Sequence, residues 1–315
     1  SIIFKKMETT LFAVFGNPIL HSKSPQLFNS VFNEVSMNSY YTRIRPQSAA
    51  DIIEIIRTMP LAGANITAPF KEEMISLVDV VSMDAEAIGA INTIINSNGR
   101  LIGYNTDHSG VTQSLKEAGI DLIGKNCLVL GGGGAARSAT YGLTRKGAQV
   151  TICNRTASKA KTIADDFSCQ VMSWTDFDLS KEYDIVVSTI LPSVLPHFFS
   201  KLNFKTLLDA SYKPSLVSEV AQSRGINTIS GKRWLLNQAV EAFTIFHGYP
   251  PPITIMEAAL NKTLSKSNIL VKEFPCAQEN NNDYKGTNIV ISSKGLQQDR
   301  IKEIIDEEIS KAFAG

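Results

Sequence analysis

The chain has 315 residues and a mass of 34.4 kDa, a length that suits about two domains. Hydrophobic residues make up 43%, enough for a core in each domain, and 31 basic against 30 acidic residues exclude both the broad basic field of a general nucleic-acid binder and the acidic excess of a solvating tail. No apolar run reaches the length of a membrane span, no heptad is sustained, and the N-terminus lacks the cleavage site of a secretory signal.

In chain order, 9–16 (TTLFAVFG) predicts a strand that stops at Gly16-Asn17-Pro18. Residues 24–36 predict a helix: Ser24 suits the N-cap, Pro25 the first helical position, and Leu27, Phe28, Val31, Phe32 and Val35 recur at helical spacing. A strand over 39–46, a helix over 48–59 ending before Pro60, a short buried strand over 63–67 and a helix over 71–79 follow. AINTIIN and RLIGYNT then predict a hairpin around Asn96-Ser97-Asn98-Gly99.

From about Asn105 the pattern becomes a regular βαβ. KNCLVLG is a continuous apolar strand, GGGAARSATYGLTRKG a helix opened by glycines, and QVTICN a second strand. A helix over 158–167, strands over 183–189 and 204–211 and a helix over 215–225 continue the alternation, which predicts a parallel, doubly wound sheet. A longer helix over 234–248 is broken by Pro250-Pro251-Pro252, and 254–266 predicts another helix. Residues 277–285 read as a linker, 288–295 as a strand, and 296–315 as an amphipathic helix with Ile301, Ile304, Ile305 and Ile309 on one face.

The four cysteines, Cys127, Cys153, Cys169 and Cys276, form no C-x-x-C pair. They read as small buried hydrophobes in a reducing compartment, which places the protein in the cytoplasm. His21, His108, His197 and His247 lack ligand spacing, so no metal site is expected.

The sharpest motif is Gly131-Gly132-Gly133-Gly134-Ala135-Ala136, placed after a strand and opening a helix. Such glycines permit a tight turn and the close approach of backbone to a pyrophosphate at a helix N-terminus. The following strand ends at Asn154-Arg155-Thr156, where an NAD-binding unit carries an acid for the ribose hydroxyl. Here Arg155 and Lys159 offer cations for a 2′-phosphate instead, which favours NADP over NAD; the ordinary alternative is a solvated helix start.

The first third clusters polar residues in turns: Ser22 and Ser24 in HSKSP, Asn65, Thr67 and Lys71 in ANITAPFKE, Asn92 in AINT, and Asp107 in YNTD. Singly, each has a structural reading: Ser24 and Asp107 as N-caps, Thr67 as a strand residue, Lys71 as a surface lysine. Taken with GGGGAARS, NRT, DASYKP and LLNQA in one order over 11–265, they carry a resemblance. The chain resembles the shikimate dehydrogenase family, enzymes of aromatic amino acid biosynthesis that interconvert 3-dehydroshikimate and shikimate with NADP(H).

The resemblance implies an α/β fold with two domains and a cleft between them. A smaller α/β substrate-binding domain is expected from 1–106 and 237–267, and a Rossmann NADP-binding domain from 107–236, with 268–315 as an extension of unassigned role. Ser22 and Ser24 match the serines that hold the substrate carboxylate. Thr67, Asn92, Tyr212 and Gln238 match further substrate contacts, and Lys71 and Asp107 the catalytic pair at the reacting hydroxyl. Gly131, Gly133, Gly134 and Ala135 match the pyrophosphate turn, and Asn154, Arg155, Thr156 and Lys159 the 2′-phosphate subsite. The expected partners are a small-molecule substrate and NADP, with no nucleic acid and no membrane, in a monomer or homodimer. The alternatives are a quinate or quinate/shikimate dehydrogenase, and a non-catalytic shikimate-binding regulatory module.

Two segments depart from the family pattern. The N-A-T-P-x-G-M run reads Ser188-Thr189-Ile190-Leu191-Pro192-Ser193 here, and the G-L-x-M-L run reads Gly231-Lys232-Arg233-Trp234-Leu235. Trp234 stands where the family has a methionine near the nicotinamide, leaving stacking, crowding or altered preference open. Met7 reads as a natural start, so 1–6 are read as foreign sequence or as the end of a preceding domain, some family members being fused behind a dehydroquinate dehydratase.

Overall fold

The computed structural model describes residues 9–59, 61–262, 268–270 and 288–290. They fall into two compact units, one drawn from the described residues up to 85, 91–104 and those from 242 onward, the other from 86–90 and 105–241.

The first unit opens with β1 (Thr10–Phe15), α1 (Ser24–Glu34), β2 (Ser39–Ile44), α2 (Ala49–Thr58) and β3 (Gly63–Ile66). β1 lies parallel to both β2 and β3. After β4 (Val80–Val81) and α3 (Met83–Ile88), the hairpin strands β5 (Thr93–Ser97) and β6 (Arg100–Tyr104) pair antiparallel. The six-stranded order is β2-β1-β3-β5-β6-β4. α2 starts on a capping box: Ser48 Oγ accepts the Asp51 N–H at 3.2 Å, and Asp51 accepts the Ser48 N–H at 2.9 Å. Its Ile52, Ile55 and Ile56 are buried with Phe15, Ile66, Ile91 and Ile94 in the core.

Two local expectations are corrected. Lys23, not Ser24, occupies the N-cap of α1 and makes no side-chain cap; Ser24 and Pro25 form the first turn. Residues 71–79 make one short 3-10 turn, Glu73–Ser76, instead of a helix. The chain leaves the helical path because the Asp79 N–H donates to the Leu101 carbonyl at 3.0 Å and the Asp79 carboxylate accepts the Leu101 N–H at 2.7 Å. These bonds lead 80–81 into the sheet.

The second unit contains α4 (Asp107–Glu117), β7 (Asn126–Leu130), α5 (Gly134–Arg145), β8 (Gln149–Cys153), α6 (Ala157–Phe167), β9 (Gln170–Met172), β10 (Glu182–Ser188), β11 (Asn203–Asp209), α7 (Leu216–Ser223) and β12 (Asn227–Ile229). All its strands are parallel, in the order β12-β11-β10-β7-β8-β9. Counting from β7, this is the doubly wound order of a dinucleotide-binding fold, with its switch point between β7 and β8 on one side and β10 on the other. The apolar runs are continuous because both faces are covered. Cys127, Val129, Ile152, Ile185 and Val187 face Val111 and Leu115 of α4 and the apolar faces of α5 and α6. Leu128, Leu130, Val186 and Leu207 face Phe198, Phe199 and Val217.

α8 (Gly231–His247) contributes to both units, the division falling after Glu241; α9 (Ile253–Leu260), β13 (Asn268–Leu270) and β14 (Asn288–Val290) follow. α9 is shorter than predicted, and its end is held by side chains near the start of α1: Lys23 Nζ donates to the Leu260 carbonyl at 2.8 Å, and Gln26 Nε2 to the Ala259 carbonyl at 2.8 Å. β13 and β14 pair in parallel, so 288–290 is the part of the expected 288–295 strand that is described. The expected linker over 277–285 and the Ile-faced helix lie outside the described residues.

His247 sits among aromatic rings of the first unit, its ring centroid 4.2 Å from that of Phe243 and 5.2 Å from that of Phe12. Its Nε2 is buried without a hydrogen-bond partner, and burial pushes the imidazole down to about 4. The unfolded chain, with a pKa near 6.5, takes up a proton that the folded chain refuses. Stability from this site is therefore complete above about pH 6.5 and is lost as pH falls toward 4. Because the ring is only half-buried, the expected loss is about 1–2 kcal/mol rather than the full shift. Thermal melts from pH 7 to 4 should show wild type losing more Tm than His247→Phe; parallel curves would contradict this.

Candidate active site

In the first unit the polar set gathers where β1 and β3 end and the antiparallel β5 begins. Ser24 is buried, and the Ser22 hydroxyl lies 3.4 Å from both its Oγ and its N–H. Arg43, wholly buried on β2, fixes this turn by donating from Nε at 2.8 Å and from its terminal nitrogen at 2.5 Å to the Ser22 carbonyl. Next to it, the Tyr41 hydroxyl donates to Asn65 Oδ1 at 2.7 Å. Burial raises the Tyr41 phenol well above its usual value, opposed by a hydrogen bond with Ser24 and by the Arg43 charge. It remains a neutral donor.

Asn65 Nδ2 donates to Thr93 Oγ1 at 3.0 Å, and Thr93 Oγ1 donates to Asn92 Oδ1 at 2.9 Å. The Asn92 carbonyl accepts the Ile66 N–H at 2.8 Å, and the Ile91 N–H donates to the Lys71 carbonyl at 2.9 Å. Thr67 follows β3 directly, its N–H on the Phe15 carbonyl at 2.8 Å. Thr67, Lys71 and Asn92 are thus brought together by main-chain bonds, and Ser22 and Ser24 by Arg43 and the start of α1. Arg43 is the support that sequence reasoning missed; Asn65 was noted in the polar cluster but given no role. Arg43 could have been noticed as a cation between Tyr41 and Ile44 inside a strand expected to be largely buried.

In the second unit Asp107 is buried at the first position of α4. Thr106 is the N-cap and makes no side-chain cap, so the N-cap reading of Asp107 is corrected. Asn105 of the same YNTD motif accepts the Asp107 N–H at 3.0 Å and donates to the Ala90 carbonyl at 2.9 Å. Thr106 Oγ1 donates to Gln238 Oε1 at 3.3 Å, which brings Gln238 of α8 beside this turn. Tyr212 lies on the loop after β11. Buried Asp209 shapes that loop by accepting hydrogen bonds from the Ser215 hydroxyl, from the Ser218 hydroxyl at 2.6 Å and from the Ser211 N–H at 3.1 Å.

The glycine turn joins β7 to α5. Gly131 has φ +135°, and a Cβ there would lie 2.0 Å from Thr189 Oγ1, which is bonded to the Leu130 carbonyl at 2.9 Å. A Cβ on Gly132 would lie 2.6 Å from Asn154 Nδ2. Glycine is therefore required at 131, while a side chain at 132 would displace Asn154, which is laid across the turn, its Nδ2 on the Thr156 carbonyl at 3.0 Å. Gly133, the N-cap of α5, makes no side-chain cap, and a Cβ there would meet nothing within 4 Å. The α5 N-terminus at Gly134 and Ala135, whose first N–H groups have no partner within the helix, follows this uncrowded glycine. Arg155, Thr156 and Lys159 are exposed at the start of α6, and among the described residues neither cation forms an ion pair. This donor set, two cations and no acid, fits the 2′-phosphate of NADP.

A family model described as the shikimate dehydrogenase substrate binding domain matches residues 14–94, and one described as shikimate / quinate 5-dehydrogenase matches 113–232. The shikimate dehydrogenase (NADP(+)) of Carboxydothermus hydrogenoformans is 34% identical over 271 residues, covering 80% of this chain and 97% of its own length. The chain belongs to the shikimate dehydrogenase family.

Solved structures agree. Shikimate dehydrogenase from Aquifex aeolicus superposes with a TM-score of 0.76 at 32% identity, covering 81% of this chain and 98% of that one. Shikimate 5-dehydrogenase from Thermus thermophilus, in complex with NADP(H) and shikimate, gives 0.73 at 30% identity, covering 80% and 98%. Against this family's pattern, the 188–193 departure forms a compact turn. The Val194 N–H donates to the Leu191 carbonyl and the Leu216 N–H to the Pro192 carbonyl, both at 2.9 Å, which ties the loop to the start of α7. Trp234 is 5% exposed and packed in the core of the second unit.

Proposed function

We propose that this chain catalyses the reversible, NADP-linked reduction of 3-dehydroshikimate to shikimate. The observation that carries the reading is the pairing, in one member of this family, of a buried polar set suited to a polyhydroxy acid with a glycine turn flanked by two exposed cations. Bound NADP(H) supplies the hydride. The Gly131, Gly133, Gly134 and Ala135 backbone holds the pyrophosphate, and Asn154, Arg155, Thr156 and Lys159 hold the 2′-phosphate.

Ser22 and Ser24 hold the substrate carboxylate, and Thr67, Asn92, Tyr212 and Gln238 hold ring substituents. Reduction adds a hydride to the ketone carbon and a proton to its oxygen. Lys71 donates that proton, or a cationic hydrogen bond, as negative charge builds on the oxygen; in the oxidation it takes the proton back. Asp107 accepts a hydrogen bond from a neighbouring hydroxyl and so fixes the ring.

The described residues contain no helix long and apolar enough to cross a membrane. Burial raises the Cys127 and Cys153 thiols to about 12, which keeps them protonated and inert, in keeping with the reducing cytoplasm. Mixing the protein with shikimate and NADP should produce the near-ultraviolet absorbance of NADPH. A folded protein that binds both and yields none would favour the non-catalytic binding module.

A further inference from the structure

We infer that Trp234 is a positioning residue for Asp107, acting through its indole N–H; the inference rests on the role given to Asp107 above. The indole Nε1 donates to the Asp107 carbonyl at 3.0 Å, across 127 positions of chain. On the other side of the same residue, Asn105 Oδ1 accepts the Asp107 N–H at 3.0 Å. A side chain from the turn before α4 and one from α8 therefore bond both main-chain polar groups of Asp107, and with the first turn of α4 they set the direction of its Cα–Cβ bond.

The fit between the helices is close. A Cβ on Gly110, one turn along α4 from Asp107, would lie 2.7 Å from Trp234 Cδ1 and 3.1 Å from both its Nε1 and Gln238 Cβ. Glycine at 110 is what admits the indole edge to the Asp107 carbonyl. Trp234 and Gln238 are four residues apart on α8, hence on one face, and both meet the first turn of α4. The indole is buried among Val111, Leu115, Ala136 and Ala139, so its orientation is fixed by packing. An aliphatic side chain at 234 would fill the space but present no donor.

The test is kinetic, with a double-mutant cycle. Trp234→Phe keeps an aromatic ring and removes the N–H. It should lower kcat about fivefold to twentyfold, the scale of one hydrogen bond that fixes a reacting group, while the KM for NADP stays within about twofold. In an Asp107→Asn background the same substitution should cost less than about twofold, because the two changes act on one group. Gly110→Ala should reproduce the loss by displacing the indole, although alanine favours the helix.

Undiminished kcat in folded Trp234→Phe, or an equal loss in the Asp107→Asn background, would overturn the inference. If Trp234→Phe does not fold, Gly110→Ala carried through the same cycle decides in the same way. Lack of shikimate turnover by the wild-type protein would instead sink the functional reading itself.

Discussion

Lys71→Ala should lower kcat by about 10²–10⁴, the range of a general acid–base group, while the Kd for shikimate changes far less. The physical reason is the timing of charge. Bound shikimate is neutral at the reacting hydroxyl, so a cation there adds little to ground-state binding. In the transition state for hydride transfer the oxygen carries negative charge, and an ammonium beside it stabilises that state selectively. The lysine is placed by main-chain geometry: its carbonyl accepts the Ile91 N–H, and the 3-10 turn that follows packs buried Met74 into the core. Alanine keeps both contacts, so the fold should survive. Stopped-flow kcat with calorimetric Kd separates the two effects, and near-normal kcat would remove Lys71 from the mechanism.

Arg155→Ala should raise the KM for NADP roughly 10–100-fold and leave that for NAD nearly unchanged, since a good Arg–phosphate contact contributes about 1.5–3 kcal/mol. Arg155 is exposed and follows Asn154, whose side chain lies across the glycine turn. Its charge has no ion-pair partner among the described residues, so little in the fold depends on it. Steady-state kinetics with both cofactors gives the split. Equal losses with NADP and NAD would make Arg155 structural.

Much of this organisation was legible in the sequence, and the reasons are local. The βαβ unit over 125–189 announces itself because each central strand is buried on both faces and reads as an unbroken apolar run. The glycine run then marks the turn at which backbone must come close. β4, β9 and β12 were not legible, since strands of two or three residues exist only through their partners. The helix expected over 71–79 failed for a related reason: Asp79 bonds to Leu101, 22 positions away, and no local pattern reports it.

The site divides in the same way. Motifs in turns, HSKSP and YNTD among them, could be read as polar clusters because turns leave side chains without core duties. Their supports were not given that role. Arg43 under Ser22 and Trp234 on Asp107 both act on main-chain carbonyls, which any sequence offers at every position. Ser24 shows the converse. It has the chemistry of an N-cap, but the helix begins one residue earlier than that reading requires, at Ser24 itself, and Lys23 takes the N-cap.

The central claim is that this chain oxidises shikimate with NADP. The direct measurement is kcat/KM for the four combinations of shikimate or quinate with NADP or NAD, on the full chain under one buffer. The account predicts the highest value for shikimate with NADP, with NAD lower by about the tenfold or more that the 2′-phosphate contacts contribute. A higher value with quinate, or with NAD, would contradict it.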